Sequence, residues 1–213
     1  MAAPPPLLIG TSNEDKIREL RELLAGVPYT ILTPADLALT LEVEETGSTF
    51  AENAVLKALA YARAAGTLAL ADDSGLEIDA LGGEPGVYSA RWAGADATYP
   101  ERFELLLARL ADVPAERRTA RYQCVMAVAA PPPRGLLGQA VGTWEGRIAE
   151  APRGTGGFGY DPIFLLPESG RTVGELARAQ KQRQSHRARA AQGVRVLLMQ
   201  LAAADTAPAQ VDA

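Results

Sequence analysis

The sequence has few of the side chains that form disulfides, zinc sites or catalytic triads. Among its 213 residues, Cys124 is the only cysteine and His186 is the only histidine. One cysteine cannot form an intrachain disulfide, and the two residues are too few for a Cys- and His-rich zinc site. A Ser-His-Asp hydrolase would have to use His186, yet the Gly-x-Ser-x-Gly motif that presents the serine is absent. So little cysteine is typical of a reducing cytoplasm, which is the expected location.

Long apolar runs and an excess of positive charge are also missing. No run approaches the ~18 apolar residues of a membrane span, and residues 1–10 lack the features of a signal peptide. Lys and Arg total 21 against 26 Asp and Glu, which gives a formal net charge of −5. This balance argues against a nucleic-acid partner, and no membrane partner is expected either.

Enough apolar side chains remain to build a core. They make up 47% of the chain, which excludes a disordered acidic protein. The length predicts one domain over residues 1–213, with a core at about 7–201 and flexible ends.

Lysine is rare although arginine is common. The basic residues include only three lysines, Lys16, Lys57 and Lys181, each in a different polar segment. Codon bias explains the many arginines. A compact ammonium suits crowded phosphate oxygens better than a planar guanidinium, so a phosphate ligand would account for the three lysines.

The order of apolar patterns predicts an α/β fold with a mixed sheet. Strands are expected at residues 7–10, 29–32, 68–71, 119–130 and 136–148, with a further strand at 76–80. The sequence Asp-Asp-Ser-Gly at 72–75 is expected to end the strand before it, as turn residues do. Helix starts are predicted from capping boxes at Thr49, Thr98 and Thr172 and from an N-cap at Ser185.

The first candidate site is the strand-to-helix turn at residues 10–16. A helix N-terminus presents unpaired N–H groups and a positive dipole end, which suits phosphate. The polar side chains of this segment are Thr11, Ser12, Asn13, Glu14, Asp15 and Lys16. The same residues also fit an ordinary N-cap followed by an acidic first turn.

Two acidic pairs are candidates for a divalent-cation site. They are Glu44 with Glu45, and Asp72 with Asp73. Mg²⁺ prefers carboxylates together with phosphate oxygens and water. The second pair follows a wholly apolar strand, so its carboxylates are expected at the rim of a sheet, although a plain turn explains them too.

A glycine-rich segment at residues 154–162 is the third candidate. Its glycines allow close backbone approach to a ligand, while Phe158 and Tyr160 offer flat faces for a base. Asp161 offers an acceptor for a ring N–H. A flexible hairpin is the alternative.

The fourth candidate is the polar segment at residues 181–187. His186 follows the helix cap there, so a buried core role is not expected. The cationic cluster either begins a solvated helix or binds phosphate and a purine edge.

Taken in order, these segments resemble the inosine triphosphate pyrophosphatase family over residues 7–201. The shared motifs are Thr-x-Asn-x-x-Lys from Thr11, Glu-Glu-Thr-Gly-x-Thr-Phe-x-Glu-Asn-Ala from Glu44, Ala-Asp-Asp-Ser-Gly-Leu from Ala71, Gly-Gly-Phe-Gly-Tyr-Asp-Pro-Ile-Phe from Gly156 and Ser-His-Arg from Ser185. The segment at 82–92 is also similar to the family. Each motif alone is weak, whereas their joint order is specific.

The resemblance implies a fold, a reaction and a cofactor. The fold would be an elongated, two-lobed α/β fold with a long bent mixed sheet, flanking helices and a central cleft. The reaction would be hydrolysis of ITP, dITP, XTP and dXTP to the monophosphate and pyrophosphate, which cleanses the nucleotide pool. Mg²⁺ would be required, and the protein would be a homodimer.

The resemblance also implies roles for single residues. The metal ligands would be Glu44 and Asp73, and Asp73 would also position or deprotonate the attacking water. The substrate contacts would be Thr11, Ser12, Asn13, Glu14, Asp15, Lys16, Lys57, Ser74, Phe158, Gly159, Tyr160, Asp161, Lys181, His186 and Arg187. Two choices stay open, namely Glu45 in place of Glu44 as ligand and Asp72 in place of Asp73 as base.

Other functions remain compatible with parts of the sequence. A Maf-type pyrophosphatase would act on pyrimidine or modified nucleotides, but Ser-His-Arg and Phe-Gly-Tyr-Asp favour purines. A non-catalytic nucleotide-binding module would keep Phe158 and His186 and could lose Glu44 or Asp73, both of which are present. A purely structural protein would need every motif to be a turn or a cap.

Overall fold

The computed structural model describes residues 3–94 and 96–206, and the strands of this part form one mixed sheet. The strands are β1 Pro6–Ile9, β2 Thr30–Leu32, β3 Leu68–Ile78, β4 Thr119–Ala130, β5 Gly135–Ile148, β6 Phe164–Leu166 and β7 Arg171–Thr172. Their order across the sheet is β2-β1-β3-β4-β5-β6-β7. β1 is parallel to β2 and β3, and the remaining neighbours are antiparallel. The predicted α/β class and mixed sheet are confirmed.

Five α-helices cover the two faces of this sheet in the described residues. They are α1 Glu14–Leu23, α2 Phe50–Ala65, α3 Tyr99–Arg109, α4 Arg178–Gln184 and α5 His186–Thr206. Thr49 and Thr98 form the predicted capping boxes, and Ser185 accepts the Ala188 N–H as the predicted cap of α5. Thr172 also forms a capping box, but the helix that it begins is a single 3₁₀ turn, Val173–Glu175.

The long strands β3, β4 and β5 connect two lobes. At one end, alternate side chains pack on α1 and α5, as Leu70 and Met126 do, while Ala71 and Val125 face α2 on the other side. At the far end, Leu76 joins a separate core that includes side chains of α3. The middle of β3 therefore lies between two lobes, each with its own hydrophobic core.

The strand that holds the two aspartates is longer than predicted. Residues 72–75 do not end it, because β3 stays paired with β4 from Ala69 opposite Ala129 to Ile78 opposite Ala120. The predictions of a strand end at 72 and of a separate strand at 76–80 are wrong. A continuous antiparallel ladder satisfies the backbone and outweighs the local turn tendency of Asp-Ser-Gly.

Among the strands of the described residues, none pairs with the β1 side of β3 after Leu70. β1 ends at Ile9, opposite Leu70, and the Gly10 N–H makes the last bond to Leu70 O at 2.7 Å. Side chains alternate along a strand, so Asp72 and Asp73 point to opposite faces of the sheet at this free edge. The aspartates thus border an opening along an edge rather than the rim at a strand end.

The structured core extends slightly beyond its predicted limits. β1 begins at Pro6, and α5 continues to Thr206. Flexible ends were expected on both sides of the core, and residues 1–2 and 207–213 lie outside the described residues. In the described part, none of the helices is both long and apolar enough to span a membrane.

Candidate active site

A cleft of about 470 Å³ opens along the free edge of β3 and brings the separate motifs together. The predicted site residues that line it are Thr11, Ser12, Asn13, Lys16, Lys57, Asp73, Ser74, Phe158, Gly159, Tyr160, Asp161, Lys181, His186 and Arg187. They come from the turn between β1 and α1, from α1, α2 and β3, from the loop before β6, and from α4 and α5. The four candidate segments therefore form one site.

Three predicted residues do not line the cleft. Glu14 and Asp15 lie on the first turn of α1, and Asp15 pairs with Arg18 at the surface. Glu44 is exposed, while its neighbour Glu45 lines the cleft and is partly buried. Glu45, and not Glu44, is therefore the glutamate that faces the cleft.

The turn at residues 10–16 caps α1 and also lines the cleft. The Asn13 side chain accepts the Lys16 N–H at 3.1 Å, and Thr11 Oγ1 accepts the Asn13 N–H at 3.2 Å. The Lys16 side chain reaches across to Asp72 Oδ2 at 3.1 Å. The two interpretations of this segment are therefore compatible.

Asp72 belongs to a buried network of charges. Its Oδ2 accepts from Arg187 Nη2 at 3.2 Å and from Arg187 Nε at 3.3 Å, in addition to Lys16. Burial opposes ionisation, but the Lys16 and Arg187 cations outweigh it and hold the pKa of Asp72 well below its usual range. Arg187 also donates to Glu19 Oε2 at 2.7 Å. Asp72 is thus a permanently charged anchor for two cations.

Asp73 has a different environment on the opposite face of β3. Its Oδ1 lies 3.0 Å from Lys57 Nζ, and its Oδ2 accepts from Asn53 Nδ2 at 3.3 Å. Burial raises the pKa of Asp73, Glu45 raises it further, and Lys57 opposes both effects. A carboxylate at a cleft with a raised pKa is suited to accept a proton.

Lys57 holds two carboxylates at one point. Its Nζ lies 2.6 Å from Glu45 Oε1 as well as 3.0 Å from Asp73, and Glu45 Oε2 accepts from Arg91 at 3.1 Å. Burial would lower the pKa of Lys57, but Asp73 and the other nearby carboxylates raise it overall. Lys57 therefore carries a positive charge at neutral pH.

Asp161 fixes the loop before β6. Its Oδ2 accepts the Phe158 N–H at 2.8 Å and lies 2.7 Å from Lys181 Nζ, while Oδ1 accepts from the Tyr122 hydroxyl at 3.2 Å. Lys181 is buried, bonds Glu19 Oε1 at 2.8 Å and lies 4.3 Å from the centroid of the Phe158 ring. Lys181 and Asp161 thus stand at the aromatic end of the cleft, away from the Lys57 end.

His186 is buried, contrary to the sequence prediction. It is 5% exposed, and its ring stacks on Tyr122 with centroids 4.6 Å apart and planes 18° apart. Burial, followed by the nearby Arg187 and Lys181 cations, holds the pKa of His186 well below its usual value, so the ring is neutral at pH 7. Its Nδ1 is buried with no hydrogen-bond partner among the described residues.

The close packing around His186 depends on a glycine of β5. A Cβ at Gly142 of β5 would meet His186 O at 2.1 Å, so glycine there lets the start of α5 approach the sheet. A local reading of the polar 181–187 segment could not detect this contact.

The sequence reasoning missed several residues of the site. Glu19 and Tyr122 connect charged and aromatic groups as described, and Tyr99 and Ser89 also line the cleft. Glu19 follows Lys16 by three residues and is the only one of these with a usable signal, since that spacing shares a helix face. The others depend on contacts between distant segments.

The acidic side chains near Lys57 are compatible with Mg²⁺. Within residues 3–94 and 96–206, no three His, Cys, Asp or Glu side chains form a ready metal site. Glu45 and Asp73 nevertheless lie close enough to share one ammonium group. Mg²⁺ commonly binds through one or two carboxylates and takes its other ligands from phosphate and water, so this pair fits the ion.

Comparison with known proteins gives a consistent family. A sequence model of the Ham1 family matches residues 7–196. A dITP/XTP pyrophosphatase of Symbiobacterium thermophilum is 55% identical over 185 residues, covering 86% of this chain and 90% of that protein. A dITP/XTP pyrophosphatase of Thermus thermophilus is 52% identical over 184 residues, covering 86% of this chain and 87% of that protein.

Solved structures agree with the fold. A HAM1 protein from Coxiella burnetii superposes with a TM-score of 0.83 at 40% identity, covering 92% of this chain and 99% of that chain. The Ham1 protein of Staphylococcus aureus gives a TM-score of 0.81 at 38% identity, with the same coverage of 92% and 99%. The predicted family fold is confirmed.

Proposed function

Because this chain belongs to the Ham1 family, we propose that it hydrolyses deaminated purine nucleoside triphosphates to the monophosphate and pyrophosphate. The observation that carries the proposal is the cleft along β3, which joins a helix N-terminus and lysines at one end to an aromatic loop and a buried histidine at the other. The dITP/XTP pyrophosphatases named above support ITP, dITP, XTP and dXTP as substrates.

The phosphate end of the cleft is formed by the start of α1, Lys16, Lys57 and Asp73. The N–H groups and positive dipole end of α1 favour phosphate, and the two ammonium groups offset its charge. Asp73 orients a water toward the α-phosphorus and takes its proton, which its raised pKa favours. The bond from the α-phosphorus to the bridging oxygen then breaks, and pyrophosphate leaves.

Mg²⁺ is the proposed cofactor, and Glu45 and Asp73 are its proposed ligands. When bound, the ion would supply positive charge to the phosphate oxygens and help to align them. Lys57 now holds both carboxylates, so it is placed to transfer its contacts to phosphate when the carboxylates bind a cation.

The base end of the cleft selects the purine. The Phe158 ring offers a face for stacking, and the cations of Lys181 and Arg187 lie over the same ring. A neutral His186 carries one donor and one acceptor nitrogen, so it can donate to the 6-keto oxygen of inosine or xanthine. A site built to hydrogen-bond one group rejects its absence by about 10⁴-fold, which disfavours the 6-amino group of adenine.

Pyrophosphate release from a nucleotide panel tests this function. ITP, XTP, dITP, GTP, ATP and dTTP are compared, each with Mg²⁺ and with a chelator. The proposal expects turnover of ITP, dITP and XTP with Mg²⁺ and little with chelator. Turnover of dTTP with no turnover of ITP or XTP would instead support the Maf-type alternative, and binding of ITP without turnover would support a nucleotide-binding module.

Replacing Glu45 rather than Glu44 is expected to weaken Mg²⁺ activation. Glu45→Gln removes one of two proposed ligands, so the Mg²⁺ concentration for half-maximal activity should rise by at least about 10-fold, the effect of losing even an outer-shell partner of a metal site. Glu44→Gln is the matched control, one residue away and exposed, and should change this concentration less than twofold. The measurement is a Mg²⁺ titration of ITP hydrolysis. Equal effects of the two variants would contradict the assignment.

A homodimer and a cytoplasmic location are also proposed. Tyr88 and Val141 are exposed apolar residues that border the same groove, which supports a contact with a second copy. Sedimentation analysis tests the dimer, and a monomer at micromolar concentration would contradict it. The nucleotide substrates of the proposed reaction are made and used in the cytoplasm, which supports that location.

A further inference from the structure

One wall of the cleft is an irregular segment between β3 and α3. This cleft wall, residues 86–94, lines the opening with Val87, Ser89 and Ala90. It also carries Arg91, which donates to the proposed metal ligand Glu45 at 3.1 Å. The position of the cleft wall therefore affects both the space for substrate and the orientation of the Glu45 carboxylate.

The cleft wall has little regular structure to hold it in place. Only Gly86–Tyr88 forms a 3₁₀ turn, and Ala93 has a left-handed φ of 72°, which costs a residue with a side chain roughly 1–2 kcal/mol. Ser89 ties the wall to the free edge of β3, since its Oγ accepts the Leu76 N–H at 2.9 Å. Its carbonyl accepts from the Tyr160 hydroxyl at 3.0 Å.

The Arg102 side chain collects the carbonyl groups of this wall. Its Nη1 donates to Ser89 O at 3.2 Å and to Ala90 O, and its Nη2 donates to Gly94 O at 3.3 Å. Its Nε donates to Ala97 O at 3.1 Å. Arg102 is 4% exposed, so these bonds are shielded from water.

Uncharged groups surround the Arg102 guanidinium. No carboxylate of the described residues forms an ion pair with Arg102, and its charge is offset by backbone carbonyl dipoles and by the Tyr99 ring, whose centroid lies 5.2 Å from the guanidinium carbon. Arg102 also lies in the first turn of α3, where the helix dipole disfavours a cation. Its contacts with Ala97 O and the Tyr99 ring are local to the start of α3, whereas its bonds to Ser89, Ala90 and Gly94 reach the cleft wall. A planar guanidinium with five donors can bond several carbonyls at once, which an ammonium cannot do in the same geometry.

We propose that Arg102 is a positioning residue that holds the cleft wall in the geometry that binds substrate. The inference rests on the proposed function, because its kinetic readout is ITP hydrolysis. Without the guanidinium, the wall would occupy several conformations, and substrate would bind only the fraction that keeps the present one. Apparent affinity falls by that fraction, so a wall that is correct about one tenth of the time raises KM by roughly 10-fold.

Arg102→Met tests this role in the full-length protein. KM for ITP is expected to rise roughly 10-fold while kcat stays within about threefold, because saturating substrate selects the ordered wall. Trypsin provides a readout that does not depend on activity, since it cleaves after Arg91. Formation of the fragment 1–91, identified by mass spectrometry, should be roughly 10-fold faster than in the unchanged protein.

Arg118→Met is the matched control. Arg118 is also a buried arginine, and it donates to the backbone carbonyl of Val113 at 2.9 Å. Arg118 and Val113 do not line the cleft. The Arg118→Met variant should lose stability without changing KM or cleavage after Arg91. If Arg102→Met does not fold, Arg102→Lys should show the same changes at roughly threefold amplitude.

Unchanged KM and unchanged cleavage in the folded Arg102 variant would overturn the proposal, and so would equal changes in Arg118→Met. Failure of the unchanged protein to hydrolyse ITP would instead overturn the proposed function, while the trypsin comparison would still decide whether Arg102 holds the wall.

Discussion

Asp73→Asn should lower kcat for ITP by roughly 10³-fold, within the range for loss of a general base. The amide keeps the size of the side chain and can still contact Asn53 and Lys57, but it cannot take a proton from water. It also removes one of the two carboxylates proposed to hold Mg²⁺. Steady-state pyrophosphate release at saturating Mg²⁺ measures the effect.

Two observations separate this prediction from a folding defect. The melting temperature of Asp73→Asn should be no lower than that of the unchanged protein, because the replaced carboxyl is buried and has a raised pKa. Glu44→Gln, an exposed acidic neighbour of the cleft, should keep full kcat. Near-normal turnover by Asp73→Asn would show that another group activates the water.

The pH dependence of activity also tests the role of Asp73 as general base, and the direction of the change is defined. The pKa of Asp73 is raised, and the residue acts in its ionised form. Activity at limiting Mg²⁺ should therefore fall as pH decreases through that pKa, which lies above the usual value for aspartate of about 3.9, because a protonated Asp73 neither takes a proton from water nor binds the ion. The neutral His186 adds no acidic limb near pH 7, because its pKa is well below the usual range.

Asp72→Asn should lower the free energy of unfolding by about 3 kcal/mol, the effect of breaking a buried ion pair by removing one partner. Asp72 is 1% exposed and contacts Lys16 and Arg187. Its loss leaves two cations without their shared anion, and only Arg187 retains another carboxylate, Glu19. Urea unfolding measures the change.

Asp15→Asn is the control for this prediction. Like Asp72, Asp15 pairs with an arginine, but this pair, with Arg18, lies at the surface. Replacing Asp15 should therefore lower the free energy of unfolding by less than about 0.5 kcal/mol. A loss for Asp72→Asn as small as that of Asp15→Asn would contradict the structural role.

The stability effect of Asp72 should also depend on pH. Its pKa is depressed in the folded state, so the carboxylate stabilises the protein fully above its unfolded pKa of about 3.9. The contribution is lost as pH falls from there through the folded pKa. The difference between Asp72→Asn and the unchanged protein should be constant from pH 6 to 8 and shrink below about pH 4.

The opposite roles of two adjacent aspartates follow from the strand that holds them. Had residues 72–75 formed the predicted turn, both carboxylates could have reached the same ion. The extended backbone of β3 instead turns Asp72 toward α1 and α5 and Asp73 toward α2. Asp72 therefore anchors Lys16 and Arg187, whereas Asp73 lies beside Lys57 on the other face of the sheet.

Local patterns were sufficient where neighbouring residues decide the structure. The caps at Thr49, Thr98 and Ser185 depend on residues three positions away, and the sequence contains both partners. The order of motifs along the chain likewise predicted the family fold and most of the cleft lining.

The errors arose where distant segments decide the outcome. Pairing with β4 carried β3 through a turn-like sequence, and the close approach permitted by Gly142 buried His186. Whether Glu44 or Glu45 faces the cleft depends on how the loop after β2 crosses Lys57. None of these contacts is encoded within a short window of sequence.

The three lysines illustrate the same limit. Lys16 and Lys57 lie at the proposed phosphate end, with carboxylate partners on β3. Lys181 is buried between Glu19 and Asp161 at the aromatic end. The position of each lysine in a polar motif indicates that it lies near the site. Only the fold shows which part of the cleft each ammonium group faces.

Hydrolysis of ITP in ¹⁸O-labelled water tests the central claim most directly. Water directed by Asp73 to the α-phosphorus should place one ¹⁸O in the inosine monophosphate and none in the pyrophosphate. Mass spectrometry of both products distinguishes the alternatives. Label in pyrophosphate, release of inosine diphosphate and phosphate, or no turnover of ITP would each contradict the account.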